Sequence, residues 1–317
     1  MRISVLGCGR WGSFIAWYLH KIGHRVTSWG LPESPEYQRL AKEHKNDVIS
    51  FDPDLAVSCD LAYAVQSAEV IIISISSQAL RSFLPKVMEA GLGKQPIVLC
   101  MKGIEESTGL RLSQIVQEFA ENPVAVWVGP GHVQDFAAGI PNCMVIDSKN
   151  DEVKRMLVHE FSSELIRFYF GADLIGNEVG AASKNVIGIA AGMLDGLGLV
   201  SLKGALMSRG TREISRLIGA MGGNPISAYG LCHLGDYQAT LFSPHSHNRR
   251  FGELYIQGKP YDKLAEGVST ARAMVRLGEE YRVDLPICQT VNNIVTHQKD
   301  PQEALSALFL RSLKEEF

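Results

Sequence analysis

The chain has 317 residues, of which 46% are hydrophobic and 21% are charged, and its formal net charge is −3 at pH 7. This composition is ordinary for a globular protein of two domains, and the small negative charge gives no reason to expect a nucleic acid or an anionic membrane surface as a partner. Because the 6 cysteines lie far apart and no apolar run reaches the length of a membrane span, we expect free thiols, a cytoplasmic location and no membrane insertion.

The first predicted element is a short apolar strand over residues 3–6, followed by GCGRWG at 7–12 and by helical spacing over 13–22. The order strand, G-x-G-x-x-G, helix is typical of dinucleotide-binding folds. Gly7 allows the tight turn, Gly9 lets a pyrophosphate approach the backbone, and Gly12 lets the helix pack against the strand. Free N–H groups at the start of the helix favour the phosphates. The alternative is a chance glycine-rich turn.

The second predicted strand, over residues 25–29, bears on the choice of cofactor. NAD-binding folds often place a carboxylate at the end of this strand, and NADP-binding folds often place an arginine nearby. Here the strand is followed by Gly30-Leu31-Pro32, and Glu33 is only a late candidate carboxylate. The sequence therefore predicts NAD or NADP and leaves the preference open.

Two later strands end in residues that suit a ligand. The strand predicted over 97–100 is followed by Lys102, and the strand over 124–128 is followed by Gly129-Pro130-Gly131. The carboxyl ends of parallel strands face the crevice in which doubly wound sheets bind ligands. We therefore expect Lys102 to point into that crevice and the glycines to let the backbone approach a ligand. A surface lysine in a loop is the alternative for Lys102.

The alternation of strands and helices stops near residue 172. Strands predicted over 69–76, 143–146 and 166–170 complete a sheet of seven or eight strands, and only helical patterns follow. The sequence predicts an α/β protein with a Rossmann-like, doubly wound, mostly parallel sheet over residues 1–172 and an all-helical domain over 173–317. The last helix is predicted over 302–314.

The first helix of the second domain, predicted over residues 175–197, carries charge only at Glu178, Lys184 and Asp195. Lys184 shares one helix face with small residues, which are Gly180, Ala181, Gly188 and Ala191. Another segment must therefore come close to this face. Since desolvation lowers the pKa of a lysine, Lys184 can serve as a proton acceptor near neutral pH. The helix alone leaves open a structural role, in which Lys184 reaches solvent or pairs with a carboxylate.

A dense polar loop, SPHSHNRRFG at 243–252, precedes another predicted helix. Ser246 or Asn248 would cap that helix. A capped helix N-terminus together with Arg249 and Arg250 suits a phosphate group. A polar surface turn with solvated arginines is the alternative. The histidines of this region have no carboxylate or thiol at regular spacing, so we predict no metal site.

Together these segments resemble the NAD(P)-dependent glycerol-3-phosphate dehydrogenase family over nearly the whole chain. In order, the matching segments are GCGRWG at 7–12, SSQALR at 76–81, KGIE at 102–105, GPGHVQDFAAGIP at 129–141, VGAASKNVIGIAAGMLDGLGL at 179–199, SRG at 208–210, LGD at 234–236, SPHSHNRRFGELYIQGK at 243–259 and AEGVSTA at 265–271. The helix with KNV and the last three segments are specific to this family, whereas the glycine loop is not.

The resemblance implies reversible reduction of dihydroxyacetone phosphate to sn-glycerol 3-phosphate by NADH or NADPH, which supplies glycerophospholipid synthesis. It implies Lys184 as the proton acceptor, with Lys102 and Asp236 as further catalytic residues. The implied cofactor residues are Gly7, Gly9, Arg10, Trp11, Gly12, Lys102, Val133, His247, Leu264 and Glu266. The implied substrate residues are Lys102, Gly129, Gly131, Lys184, Asp236, Ser246, His247, Asn248 and Arg249. We expect a small phosphorylated substrate as the partner, and a homodimer is considered because exposed apolar helices often pair.

Several features depart from the family pattern, all on the substrate side. The family has arginine where His247 stands, and that arginine contacts both phosphate and cofactor. It has serine or threonine in place of Gly131 and lysine in place of Gln134. The segment 196–203 lacks an Asp-Asn pair and is one residue short, although Lys203 is kept. The missing arginine supports a second hypothesis, a dehydrogenase of the same architecture that acts on another small phosphorylated or carboxylated hydroxy compound. A third, a non-catalytic nucleotide-sensing regulator, is disfavoured by the retained catalytic set.

Overall fold

The computed structural model describes residues 1–309, and the chain forms two compact units. The first unit comprises residues 1–102 and 110–178, and the second comprises 103–109 and the chain from 179 onward. The division falls inside a helix, directly after Glu178, whose carboxylate accepts hydrogen bonds from Arg111 and Ser113 of the first unit. The boundary predicted after residue 172 stays a prediction. The end of the helix predicted over 302–314 lies outside the described residues.

An eight-stranded sheet, counted over residues 1–309, forms the centre of the first unit. In chain order the strands are β1 (Arg2–Leu6), β2 (Arg25–Trp29), β3 (Ala56–Ser58), β4 (Val70–Ile73), β5 (Ile97–Leu99), β6 (Val124–Val128), β7 (Asn142–Ser148) and β8 (Ile166–Phe170). Their order across the sheet is β3-β2-β1-β4-β5-β6-β7-β8. Within the described chain, neighbouring strands pair in parallel except β6 and β7, which pair antiparallel. The predicted doubly wound, mostly parallel sheet is confirmed.

The short strand β3 was not predicted from the sequence. It has 3 residues, lies at the edge of the sheet and is at most half-buried, so it lacks the continuous apolar run that marks the inner strands. β4, by contrast, is buried along its whole length. The helices of this unit are α1 (Arg10–Lys21), α2 (Pro35–Glu43), α3 (Leu61–Ser67), α4 (Leu80–Glu89), α5 (Leu112–Phe119), α6 (Val133–Ala137) and α7 (Asp151–Phe161).

Over residues 179–309, the regular elements of the second unit are all helices, which confirms the predicted change from alternating strands and helices to helices alone. Its helices are α8 (Leu174–Gly196), which begins in the first unit, α9 (Lys203–Ala220), α10 (His247–Ile256), α11 (Gly267–Glu280), α12 (Pro286–Val295) and α13 (Pro301–Phe309). Shorter helical turns cover Val200–Leu202, Pro225–Tyr229 and Leu234–Asp236, and a π-helical turn covers Gln238–Phe242. Over residues 1–309, no helix combines the length and apolarity that spanning a bilayer requires.

The small residues of α8 let other segments of the second unit approach its backbone. A Cβ atom added at Gly192 would lie 1.9 Å from the carbonyl oxygen of Arg249, and one added at Gly188 would lie 2.8 Å from Cγ2 of Thr240. On α10, a Cβ atom at Gly252 would lie 2.1 Å from the carbonyl oxygen of Ile189. Only glycine allows these approaches. The bare face predicted for α8 is thus covered by the segment between α9 and the middle of α10.

Candidate active site

The glycine loop of the first unit leaves room at one position and none at the other two. Gly7 has φ +115°, and a Cβ atom there would lie 2.2 Å from the carbonyl oxygen of Ser74. A Cβ atom at Gly12 would lie 1.8 Å from the carbonyl oxygen of Gly7. At Gly9, by contrast, a Cβ atom would meet no atom of the described chain within 4 Å. The backbone around the loop therefore excludes a side chain at Gly7 and at Gly12 and leaves free space at Gly9.

The start of α1 offers its backbone donors beside this open position. Gly9 is the N-cap residue, and its position brings no side-chain cap to the first N–H groups of the helix. The exposed Arg10 and the half-buried Trp11 follow in the first turn. Uncapped N–H groups and the helix dipole favour an anionic group. These features fit the pyrophosphate of a dinucleotide.

An aromatic cluster next to this loop explains one departure from the family pattern. The rings of Trp11 and Phe14 lie 5.0 Å apart, and those of Phe14 and Phe136 are stacked at 4.9 Å. The Phe136 ring would lie 2.3 Å from a Cβ atom at Gly131, whose φ is +151°. A serine or threonine at 131 would therefore collide with Phe136. Val133, which begins α6, is buried in the same hydrophobic cluster as Phe14 and Phe136.

Lys102 is held at the carboxyl end of the parallel sheet, after β5. Its Nζ atom donates a hydrogen bond to the carbonyl oxygen of Gly129, which follows the neighbouring strand β6, at 2.7 Å. Gly129 has φ +132°, a conformation that favours glycine. The structure thus brings together Lys102 and the Gly129–Gly131 turn, at the strand ends where the sequence predicts them.

Lys184 of α8 forms a buried ion pair in the second unit. Its Nζ atom lies 2.8 Å from Oδ2 of Asp236, and the two side chains are 9% and 1% exposed. The same Nζ atom donates to Oγ1 of Thr240 at 2.6 Å, and Thr240 in turn donates to the carbonyl oxygen of Asp236 at 2.7 Å. The amine is therefore held by a carboxylate and a hydroxyl at once.

Thr240 was missed by the sequence reasoning, although it lies four residues after Asp236. That spacing places two side chains on one helix face. Here the residues lie in a 3-10 turn followed by a π-helical turn, and single π-helical turns are frequent at functional sites. The helical spacing from Asp236 was the signal that could have identified Thr240.

The polar loop before α10 caps helix ends. Ser246 is the N-cap residue of α10 and accepts a hydrogen bond from the backbone N–H of Arg249. The Asn248 side chain accepts one from the N–H of Gly267 at the start of α11, at 2.9 Å. Nδ1 of His247 lies 2.5 Å from the hydroxyl of Tyr261. The predicted cap at Ser246 is present, and α10 begins at His247, three residues before the helix that the sequence predicts over 250–257.

The two arginines of this loop have carboxylate partners. Nη1 of Arg249 lies 2.6 Å from Oδ2 of Asp195, and its side chain is 14% exposed. Asp195 also pairs with Lys203 at 2.6 Å. Nη1 of Arg250 lies 3.0 Å from Glu253, and Arg250 is 48% exposed. Asp195 offsets the charge of Arg249. If Arg249 binds the phosphate of the substrate, its guanidinium must therefore contact both Asp195 and the phosphate, and this role of Arg249 stays a prediction.

The remaining predicted cofactor residues lie just before and at the start of α11. Leu264 is 62% exposed, and Glu266 is the N-cap residue of α11, with its carbonyl oxygen accepting from Thr270. The predicted residues of the first unit are Gly7, Gly9, Arg10, Trp11, Gly12, Lys102, Gly129, Gly131 and Val133. Those of the second unit are Lys184, Asp236, Ser246, His247, Asn248, Arg249, Leu264 and Glu266.

Comparisons with known proteins indicate the same family for both halves of the chain. Residues 2–154 match the model of the NAD-dependent glycerol-3-phosphate dehydrogenase N-terminus, and residues 173–306 match that of the C-terminus. A glycerol-3-phosphate dehydrogenase [NAD(P)+] from Thermoanaerobacter sp. (strain X514) is 34% identical over 100% of this chain and 99% of its own length. The enzyme of the same name from Fusobacterium nucleatum is 36% identical over 99% of this chain and 98% of its own length.

A solved structure gives the same result for the fold. The crystal structure of glycerol-3-phosphate dehydrogenase from Coxiella burnetii is similar to this chain with a TM-score of 0.91 and 28% sequence identity. The similarity covers 98% of this chain and 99% of that one. Both family models and these relatives confirm the resemblance inferred from the sequence motifs, and the chain belongs to the NAD-dependent glycerol-3-phosphate dehydrogenase family.

Proposed function

We propose that this oxidoreductase interconverts dihydroxyacetone phosphate and sn-glycerol 3-phosphate, with NAD or NADP as the cofactor. The observation that carries the proposal is the buried contact of Lys184 with Asp236 and Thr240 in a chain of this family. A ketone reduction needs a proton donor for the developing alkoxide, and the reverse oxidation needs a base for the hydroxyl proton. A lysine held by a carboxylate can serve both directions.

The glycine loop would hold the cofactor. The open space at Gly9 and the uncapped start of α1 would receive the pyrophosphate, and Arg10, Trp11 and Val133 would line its surroundings. When bound, the nicotinamide supplies the hydride in one direction and accepts it in the other. The preference between NAD and NADP is left open by β2, which ends in Trp29 with neither a carboxylate nor an arginine directly after it.

Lys184 would carry the proton at its Nζ atom. The carboxylate of Asp236 favours the charged form of a neighbouring amine, and the Thr240 hydroxyl fixes its direction through a second hydrogen bond. The charged amine could then donate to an alkoxide, and Asp236 would stabilise the charge again in the reverse direction. Lys102, anchored on the Gly129 carbonyl, would supply a second cation for the substrate.

The start of α10 would receive the phosphate of the substrate. Ser246 caps this helix N-terminus, His247 is its first residue, and the Asn248 side chain accepts a hydrogen bond from the start of α11. Helix N-terminal N–H groups bind phosphate without a permanent side-chain charge. Arg249 would add positive charge in the same turn while remaining paired with Asp195.

Three further features belong to the same proposal. We infer a cytoplasmic enzyme that supplies glycerophospholipid synthesis and that forms a homodimer. The dimer is supported by apolar side chains of the helical unit that remain exposed, among them Ile226 at 68% and Val200 at 55%. Sedimentation equilibrium of the purified protein would measure the mass, and a monomer across the micromolar range would exclude the dimer.

A substrate panel tests the activity itself. The oxidation of NADH and of NADPH by purified protein should be followed with dihydroxyacetone phosphate, with other small phosphorylated ketones and with 2-keto acids. We expect the highest kcat/KM with dihydroxyacetone phosphate. A clear preference for another ketone would favour the second hypothesis, a related dehydrogenase. Tight cofactor binding without turnover on any ketone would favour a nucleotide-sensing regulator.

A further inference from the structure

His233 is a fully buried histidine next to the Lys184–Asp236 pair. Its exposed fraction is 0%, and both ring nitrogens are hydrogen bonded. Nδ1 lies 2.9 Å from the carbonyl oxygen of Gly180, and Nε2 lies 2.6 Å from the hydroxyl of Tyr237. Because a carbonyl oxygen can only accept, Nδ1 carries the proton, and the Tyr237 hydroxyl donates to Nε2. Since burial disfavours the charged form, the ring is neutral and is held in this one tautomer.

The surroundings keep this ring neutral. Burial is the main cause that lowers the pKa of His233 to about 4; the bond to Gly180 and the charge of Asp236 oppose the shift, and the charge of Lys184 adds to it. Lys184 faces the ring from α8, and Asp236 and Tyr237 face it from its own segment. Two further titratable groups, Glu213 of α9 and Cys288 of α12, interact electrostatically with Tyr237.

The two partners of His233 flank the reacting pair in sequence. Gly180 lies one helical turn before Lys184 on α8, and Tyr237 directly follows Asp236. The contact is tight, since a Cβ atom at Gly180 would lie 3.1 Å from Cβ of His233. The imidazole thus joins the turn of α8 that carries Lys184 to the turn that carries Asp236.

We propose that His233 is a positioning residue, which together with Tyr237 sets the distance between Nζ of Lys184 and the carboxylate of Asp236. This role rests on the proposed function, in which Lys184 moves the proton. The carboxylate of Asp236 favours the charged form of the Lys184 amine. If the contacts of His233 are weakened and the carboxylate moves away, Lys184 should therefore lose its proton at lower pH. It also displaces the amine from the substrate, and displacements of about 1 Å can cost about 100-fold in rate.

Two variants test the hydrogen bonds that His233 makes with Gly180 and with Tyr237. Tyr237→Phe removes the hydroxyl and keeps the ring of residue 237. His233→Asn keeps a donor near the position of Nδ1, toward Gly180, and removes the acceptor for Tyr237. For each we expect kcat to fall about 10- to 100-fold, with the KM for NADH unchanged and the alkaline limb of the kcat–pH profile moved to lower pH.

The matched control is His24→Asn in the first unit. His24 is also buried, at 8% exposure, and its Nε2 lies 2.9 Å from the carbonyl oxygen of Glu160. This variant loses the contacts of a buried histidine with Met1 and Glu160, neither of which belongs to the proposed machinery. We expect it to lower the melting temperature and to leave kcat and the alkaline limb unchanged.

A readout that needs no turnover keeps the two proposals separate. The rate at which acetic anhydride acylates Lys184, measured by peptide mass spectrometry across pH, reports when the amine loses its proton. We expect this profile to move to lower pH in Tyr237→Phe and His233→Asn and to stay in place in His24→Asn. A displaced profile in a protein that does not reduce dihydroxyacetone phosphate would support the positioning role and overturn the proposed function. Native kcat and a native acylation profile in folded Tyr237→Phe would overturn the positioning role, whether or not His233→Asn folds.

Discussion

The Nζ atom of Lys184 lies 2.8 Å from Oδ2 of Asp236, and the two side chains are only 9% and 1% exposed. Taking two charges out of water is costly, and replacing such a pair by apolar residues is often neutral or stabilising. Stability alone is therefore a weak reason for the pair to exist. A proton donor that must stay charged until it meets its substrate is a better one. The sequence left Lys184 with a structural and a catalytic interpretation, and the buried pair is compatible with both, so a mutation must decide.

We predict that Lys184→Ala loses turnover about 10²- to 10⁴-fold while cofactor affinity survives, because a general base typically contributes that much and the glycine loop lies in the other unit. Single-turnover kinetics and a fluorescence titration with NADH would measure the two quantities. Lys154→Ala is the control, since Lys154 is also largely buried, at 13% exposure, and pairs with Asp151 at 2.9 Å. Near-native turnover in folded Lys184→Ala would return Lys184 to the structural interpretation.

We predict that Gly9→Val folds normally and fails to bind NADH or NADPH. The described chain leaves the space at the Gly9 Cβ position empty, so only the cofactor should feel the added side chain. Gly204→Val is the control, because a Cβ atom at Gly204 likewise meets no described atom within 4 Å. Fluorescence titration should show affinity lost in the first variant and kept in the second. Equal affinities would mean that the glycine loop is only a turn.

The third prediction concerns the KM for dihydroxyacetone phosphate and its dependence on pH through His247. An arginine would carry a permanent charge, whereas an unperturbed histidine titrates near pH 6.5. If the phosphate depends on protonated His247, the KM should rise as pH climbs from about 6 to 8, beyond what the second ionisation of the substrate explains. His247→Arg should flatten that rise and lower the KM at pH 8.

A second variant isolates the contact of His247 with Tyr261. Tyr261→Phe removes the hydroxyl that lies 2.5 Å from Nδ1, and it should change the steepness of the same profile. The measurement is the KM–pH profile of the native protein and both variants. Superimposable profiles would exclude a charged His247 and leave the helix N-terminus and Arg249 to bind the phosphate.

The fourth prediction concerns stability and the buried carboxyl of Glu213. Its oxygens accept hydrogen bonds from the N–H groups of Ile287 and Cys288, at 2.8 and 3.0 Å, and burial raises its pKa to about 7. A carboxyl whose folded pKa lies above its unfolded pKa binds more protons when folded. Its contribution to the free energy of unfolding is therefore full below about pH 4.5 and is lost as pH rises to about 7.

Glu213→Gln tests this sign, because an amide cannot titrate and keeps one acceptor oxygen. We expect the free energy of unfolding, measured with urea at several pH values, to fall less between pH 5 and pH 8 in this variant than in the native protein. Glu280→Gln, at an exposed position near the end of α11, is the control and should keep the native dependence. Parallel curves for all three proteins would contradict the raised pKa.

Several features could be predicted from the sequence because they depend on local spacing. The glycines of the loop at 7–12, the continuous apolar run that forms β4, and the length of α8 each follow from which side chains fit a turn, a buried strand or one helix. The family motifs identified Lys184 and Asp236 before any geometry was known. The departure at Gly131 was visible in sequence, but the collision with Phe136 that explains it was not.

What only the tertiary structure decided is which charges meet. Lys184 and Asp236 are 52 positions apart in the chain. Asp195 pairs with both Lys203 and Arg249, although the sequence spacing of these three residues would equally allow each side chain to face solvent. The same is true of His233, which looked like one scattered histidine and lies fully buried between α8 and Tyr237. Helical periodicity determines which face a side chain occupies. The glycines that let segments approach α8 determine what that face touches, and this packing placed a carboxylate, a hydroxyl and a neutral imidazole around one lysine.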